Sequence, residues 1–176
     1  MINIRKNLFE TNSSSSHSIV VTNKPIKENT YYFCVRLNKD RKMTVDEDDL
    51  FFGRHPFKFL CTFYTKVCYA IASCGKHGFS EIEEIVKKYA KSYTGLSEQC
   101  TGIELPKIYK KNTYFYGDID HQSCGLLAHF LSKENITLEE FLINPKYTVI
   151  IDGDEYCVFF DMINTGLIDS SQLKIY

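Results

Sequence analysis

The chain has 176 residues, of which 44% are hydrophobic and 24% are charged, as in an ordinary globular protein. Its 21 Lys and Arg residues nearly balance its 22 Asp and Glu residues. The formal net charge of −1 argues against a strongly basic nucleic-acid-binding protein and equally against an acidic DNA mimic, although local patches stay open.

The length fits a single domain covering residues 1–176. No apolar run approaches the roughly 20 residues that cross a bilayer, so we expect no membrane association. The seven cysteines are odd in number, form no Cys-x-x-Cys pair and do not match zinc-ribbon spacings. With no signal-peptide pattern at the start, they indicate reduced thiols in a cytoplasmic protein.

Two strands are predicted near the N-terminus, because "SIVVTN" (18–23) and "TYYFCVRLN" (30–38) are rich in β-branched and aromatic residues. A polar segment with a proline separates them and predicts a loop. The charge-dense segment 39–50 follows, and its acidic end at 46–49 is typical of a solvated surface.

Two helices are predicted in the middle of the chain. Apolar residues repeat at helical spacing from Phe57 to Ile71, so a helix is expected to begin at Pro56 and end at Gly75. A capping-box pattern at Ser80 and a glycine at Gly95 delimit a second helix. We expect these helices to form an antiparallel pair packed on a sheet.

The C-terminal half mixes strands and short helices. Segments 113–123 and 146–156 predict strands, 124–134 predicts a short helix, and "QLKIY" predicts an edge strand. A second capping box at Thr137 begins a helix that ends at Asn144 before Pro145. Strands and helices do not alternate strictly, which predicts an α+β fold with a mixed or antiparallel sheet and a helical pair packed on it.

Polar side chains are concentrated beside the predicted strands, where a rigid scaffold commonly carries functional groups. The first cluster precedes strand 18–23. Its small residues and hydroxyls suit an anion held by backbone N–H groups, and its arginine suits a bidentate contact. The candidate anion-binding residues are Arg5, Asn12, Ser13, Ser14, Ser15 and Ser16. His17 is a candidate catalytic residue because imidazole transfers protons near neutral pH. The alternative is a turn in which the serines bind local backbone groups.

The second cluster is "GDIDHQS" (117–123). Asp118 and Asp120 would share one side of a strand, so they are candidate ligands for a divalent metal. Asp120 and His121 are also candidate catalytic residues. The alternative is a turn followed by a helix N-cap. A third cluster, "DGDE" (152–155), looks first like a hairpin turn and would join a metal site only with ligands from the other clusters.

The segment "RKNLFETNSSSSHS" (5–18) resembles the opening pattern R-x-x-x-F-E-T-N-S-S-S-x-H-S of a family of small proteins carried by phages and mobile elements of gut Firmicutes. "IDHQS" (119–123) and "FLINPKYTVIIDGDE" (141–155) are similar to further segments of that family. The matching motif residues are Arg5, Phe9, Glu10, Thr11, Asn12, Ser13, Ser14, Ser15, His17 and Ser18. The resemblance implies a phage-borne protein in the host cytoplasm and assigns no role to any of these residues.

Two functions follow as expectations. The resemblance implies a phage-encoded inhibitor of a host defence system, because type II-A anti-CRISPR proteins come from the same genetic neighbourhoods. Its partner would be a host defence protein such as a Cas9-type nuclease. The polar clusters favour instead a small metal- or phosphate-dependent enzyme or nucleotide-binding protein, with a divalent metal as candidate cofactor. Whether the protein is an enzyme stays open, as does a structural phage role. The geometric test is whether His17, Asp118, Asp120 and His121 meet in one pocket.

Overall fold

A computed structural model of the chain describes residues 16–22, 35–52, 58–107, 117–119, 123, 125–152 and 174–175. The described residues form one long helix, two short helices and three small sheets. The predicted α+β class is therefore confirmed, with helices packed against antiparallel and mixed sheets. No described helix combines the length and the apolar character that crossing a membrane requires.

The main sheet is antiparallel and has the strand order β5-β8-β1-β9. Its members are β1 (Ser16–Val21), β5 (Lys58–Leu60), β8 (Tyr147–Asp152) and β9 (Lys174–Ile175). Three of these strands lie where β-rich sequence predicted them, and β9 is at the sheet edge as expected. Alternate residues of the two central strands, including Ile19 and Val149, are fully buried in the hydrophobic core that the sheet shares with the helices.

The long helix α1 (Phe63–Thr94) begins at Thr62, whose side chain accepts a hydrogen bond from the Thr65 backbone N–H and forms a capping box. Gly75 has non-helical angles (φ 57°, ψ −148°) and divides α1 into two halves, and Gly95 ends it in the left-handed conformation. The predicted helix start at Pro56 is wrong, because Lys58–Leu60 pairs with β8 as a strand.

The predicted cap at Ser80 is also wrong. The helix resumes directly after Gly75, so no loop separates the two halves and Ser80 lies within a helical turn. The glycine at 78 has a packing reason, since a Cβ there would lie 2.5 Å from the Cβ of Cys74.

A second, mixed sheet contains β2 (Arg36–Leu37), β3 (Lys42–Thr44) and β6 (Gly102–Glu104) in the order β2-β3-β6. Strand β2 runs antiparallel to β3, and β6 runs parallel to it. At the outer edge of β6, the Ile103 backbone N–H donates to the Glu83 side chain of α1 at 3.1 Å. Gly102 has φ 154°, a conformation that residues with a Cβ rarely adopt, and a Cβ there would also approach the same carboxylate oxygen to 2.6 Å.

Helices α2 (Leu126–Glu134) and α3 (Leu138–Ile143) follow, and the Thr137 cap of α3 is present as predicted. The buried Lys66 of α1 reaches the end of α3, where its Nζ donates to the carbonyls of Phe141 and Asn144 at 2.9 and 2.8 Å. A third sheet consists of β4 (Phe51–Phe52) and β7 (Asp118–Ile119), paired in parallel.

Candidate functional site

His17 lies in β1 with 8% of its surface exposed. Its Nδ1 and the hydroxyl oxygen of Tyr69 are 3.3 Å apart and share a hydrogen bond, and the two ring centroids are 5.7 Å apart. Tyr69 belongs to the first half of α1 and is fully buried. The imidazole is therefore held against the long helix by a partner far away in the sequence, which fixes its orientation.

The same tyrosine connects His17 to the second polar segment. Tyr69 makes an edge-to-face contact with Phe52, with ring centroids 5.3 Å apart. Phe52 lies in β4 opposite Ile119 of β7, the strand that opens the second polar cluster. Tyr69 thus links the strand that carries His17 with β4, the strand that pairs with β7 and Asp118.

Gly117, the residue before β7, is packed tightly against α1. A Cβ at this position would lie 2.7 Å from the Cβ of Ala72 and 2.6 Å from the carbonyl oxygen of Leu50. Ala72 is three residues after Tyr69 and lies on the same face of α1. The segments around His17 and Asp118 therefore adjoin neighbouring turns of one helix face.

The register of the main sheet brings in the third cluster. In the antiparallel pair of β1 and β8, Ser16 is directly opposite Asp152 and His17 is opposite Ile151. The last serine of the serine run and the first carboxylate of "DGDE" thus share one cross-strand position. The described ends of the polar segments are thus the start of β1, the end of β8 and the start of β7; the first two pair directly, and the third is joined to them through Tyr69 and α1.

A lysine lies in the same cross-strand row as His17. Ile151 of β8 is opposite both His17 on one side and Lys58 of β5 on the other, so these residues face one side of the sheet. Two strand spacings separate Lys58 from His17, or roughly 10 Å between backbones. Burial lowers the pKa of Lys58, while the charges of Asp49 and Asp48 act in the opposite direction.

Asp49 has a second buried neighbour. The Tyr64 hydroxyl donates to its Oδ2 at 2.6 Å, and burial raises the pKa of this tyrosine. Lys58 and Tyr64 therefore both adjoin Asp49, while His17 and Tyr69 form a buried pair two strands away from Lys58 on the same side of the sheet. An anion bound beside Lys58 would favour its charged form, as Asp49 and Asp48 already do.

The predicted site residues are only partly described. His17 is seen with its side chain, and the backbones of Ser16 and Asp118 lie in β1 and β7. Asp120, His121, Arg5, Asn12, Ser13, Ser14 and Ser15 lie outside the described residues. Their assignment to catalysis, anion binding or metal binding stays a prediction, as does the test of a common pocket.

Metal ligands are not assembled in the described part of the chain, where no group of three His, Cys, Asp or Glu side chains is arranged to hold an ion. A shallow open groove of about 830 Å³ lies elsewhere, between the second half of α1 and the start of α3. Its charged side chains pair with each other, as in the 3.1 Å contact of Lys88 with Glu139. None of the residues that line the groove is a candidate site residue.

Sequence reasoning did not single out Lys58, Tyr64 or Tyr69. Lys58 lies within a stretch whose apolar spacing predicts a helix. The spacing therefore gives no indication that Lys58 shares a cross-strand row with His17. Tyr64 was assigned to the apolar stripe of that helix, and Tyr69 lay outside the stripe. The hydroxyl of a buried tyrosine usually has a hydrogen-bond partner, and this general rule alone could have pointed to Tyr64 and Tyr69.

Comparison with known proteins gives no relative: no family model, no curated protein and no solved structure matches the chain.

Proposed function

We propose that the protein binds a phosphate-bearing small molecule, such as a nucleotide, near the start of β1, the end of β8 and the start of β7. The observation that carries this proposal is the cross-strand row of Lys58, Ile151 and His17. It places a cation and an imidazole on one side of the sheet, next to the end of the serine run.

The chemistry of the row favours an anionic ligand. An ammonium that is half-buried gains from an anion nearby, because the anion offsets the lost hydration of the charge. Hydroxyl and backbone N–H groups of a serine run supply the further donors that a phosphate requires. Asp118 and Asp120 are the candidate ligands for a divalent metal accompanying that phosphate.

The direct experiment is a thermal-shift screen with inorganic phosphate, nucleoside mono-, di- and triphosphates, each with and without Mg²⁺ or Mn²⁺. A ligand at 100 times its Kd stabilises by about 2.7 kcal/mol, which raises Tm by roughly 5–10 °C for a chain of this size. No shift with any of these compounds, at concentrations up to the millimolar range, would contradict the proposal.

Two variants locate the site. Lys58→Met removes the cation and keeps most of the side-chain volume, so the ligand-induced shift should disappear. Lys76→Met removes an exposed lysine of α1 far along the chain from β5 and should leave the shift unchanged. An equal loss of the ligand-induced shift in both variants would show that binding depends only on the net charge of the protein.

Tyr69→Phe tests the part played by His17. The variant keeps the buried ring and removes only the hydroxyl that binds Nδ1. We expect the protein to stay folded and the affinity for the phosphate compound to fall, because the His17 imidazole loses the hydroxyl that orients it. Unchanged affinity would show that the orientation of His17 by Tyr69 does not contribute to binding.

A second candidate function is inhibition of a host defence nuclease. The observation that favours it is the resemblance of "RKNLFETNSSSSHS" (5–18) to the phage-associated pattern. The test is a pull-down of purified Cas9-type nucleases with the tagged protein, followed by a DNA-cleavage assay. Absence of both binding and inhibition, together with nucleotide binding in the thermal-shift screen, would rule in favour of the small-molecule site.

A further inference from the structure

The segment Arg36–Thr44, here called the basic hairpin, comprises β2, β3 and the turn between them. It carries four cations, Arg36, Lys39, Arg41 and Lys42, and one carboxylate, in a chain with a net charge of −1. All four cations are exposed. The ion pairs between described residues join Lys87 and Lys88 to glutamates, so none of them involves the hairpin cations.

The turn of the basic hairpin is tightly specified. The Asn38 side-chain oxygen accepts hydrogen bonds from the backbone N–H groups of Asp40 and Lys42, both at 2.9 Å. Thr101 anchors the turn from outside, since its hydroxyl donates to the Asp40 carbonyl and its N–H donates to the Arg41 carbonyl.

Arg41 adopts a left-handed conformation with φ 59°. This conformation is unfavourable for a residue with a Cβ and persists only where the surroundings hold it. The cationic side chains therefore project from a rigid turn rather than from a loosely held loop.

The hairpin has one apolar face and one polar face. Met43 is fully buried in the core and Leu37 packs against it. Arg36, Lys42 and Thr44 alternate with these residues and occupy the opposite face. Because the inner face is fixed in the core, the cations of the outer face are held in a constant arrangement.

The outer face fits nucleic acid better than it fits a protein. The exposed large apolar side chains among the described residues are Phe51 and Tyr93, and neither lies on the hairpin. Protein interfaces are usually built around an apolar or aromatic core, and the described residues of this face offer its arginines no exposed apolar surroundings of that kind. Phosphate backbones are contacted by Arg, Lys, Asn and Thr side chains without any apolar core.

We propose that the basic hairpin binds the phosphate backbone of nucleic acid without reading its sequence. The surface lies in a different sheet from the candidate small-molecule site and does not depend on it. Four contacts give a modest affinity that falls steeply with salt, since each neutralised phosphate of duplex DNA contributes about −0.9 to the slope of log K against log salt.

The test is fluorescence anisotropy with a labelled mixed-sequence DNA duplex, titrated with the full chain at several salt concentrations. We expect a slope of about −3 to −4 for the wild type, because four cations are available. Lys39→Glu with Lys42→Glu should reduce the slope by about two and weaken binding at low salt by at least about tenfold. The matched control, Lys76→Glu with Lys146→Glu, makes the same change in net charge at exposed sites outside the hairpin.

Three results of the DNA assay would overturn the proposal: no binding at low salt, the same loss of binding in the control variant, or equal competition by a poly-glutamate peptide. The last result would identify an acidic protein as the partner. Vesicles with anionic lipids form a further arm, and binding to them with the same dependence on Lys39 and Lys42 would identify a membrane surface instead. Circular dichroism of each variant establishes that the fold is retained.

Discussion

Replacing Lys66 with methionine should destabilise the protein in a pH-dependent way. The lysine is 1% exposed, and its Nζ donates to two carbonyls at the end of α3. Methionine fills similar space but leaves both carbonyls without this donor. At about 1–3 kcal/mol for each buried group, the variant should lose about 2–6 kcal/mol near pH 9.

The loss should shrink as the pH falls towards 7. Burial lowers the pKa of Lys66 to about 7, while a nearby Cys61 acts in the opposite direction. The unfolded chain, with a lysine pKa of about 10.4, binds one more proton than the native state between these two values. Wild-type stability therefore rises with pH in this window by up to about 1.4 kcal/mol per pH unit, and methionine removes that dependence.

Urea unfolding of wild type and Lys66→Met, measured at intervals from about pH 7 to 9, checks this reasoning. The difference in unfolding free energy should grow by up to about 2.7 kcal/mol across the interval. Lys91→Met, at an exposed position of α1, is the control and should show no such trend. A difference that stays constant with pH would refute the assignment of a lowered pKa to Lys66.

Three further substitutions test local features. Gly117→Ala should cost about 1–3 kcal/mol in urea unfolding because the new methyl group meets the Leu50 carbonyl oxygen and Ala72; a neutral effect would contradict the close packing. Tyr64→Phe should lower the free energy of unfolding by about 1.5–3 kcal/mol, because the hydrogen bond to Asp49 is lost; unchanged stability would show that this bond makes no net contribution. Thr62→Ala should cost about 1 kcal/mol by removing the cap of α1, whereas Thr62→Ser should be nearly neutral; equal losses would contradict the capping role.

Elements with strong local signals were predicted from the sequence. The apolar run of β8 and the cap at Thr137 depend on residues close together in the chain, and both are present. The strand β5 was missed because Phe57, Leu60 and Cys61 also fit helical spacing. Only its pairing with β8, a distant segment, decides between the two structures.

The candidate site shows the same division. The polar character of the segments around His17, Asp118 and Asp152 is visible in the sequence, but their relative placement depends on the β1–β8 register and on the packing at Ala72. Tyr69 and Lys58 join His17 only through tertiary contacts, so no local pattern marks them. Asp120 and His121 stay predictions, because they lie outside the described residues.

The bond between Glu83 and β6 bears on how the protein behaves at high concentration. Strand β6 is at the edge of its sheet, where an unpaired backbone N–H invites strand addition by another copy. The Glu83 carboxylate occupies the Ile103 N–H and places a negative charge beside it. A second chain would have to displace this carboxylate before it paired with β6, so α1 protects the sheet from edge-to-edge aggregation.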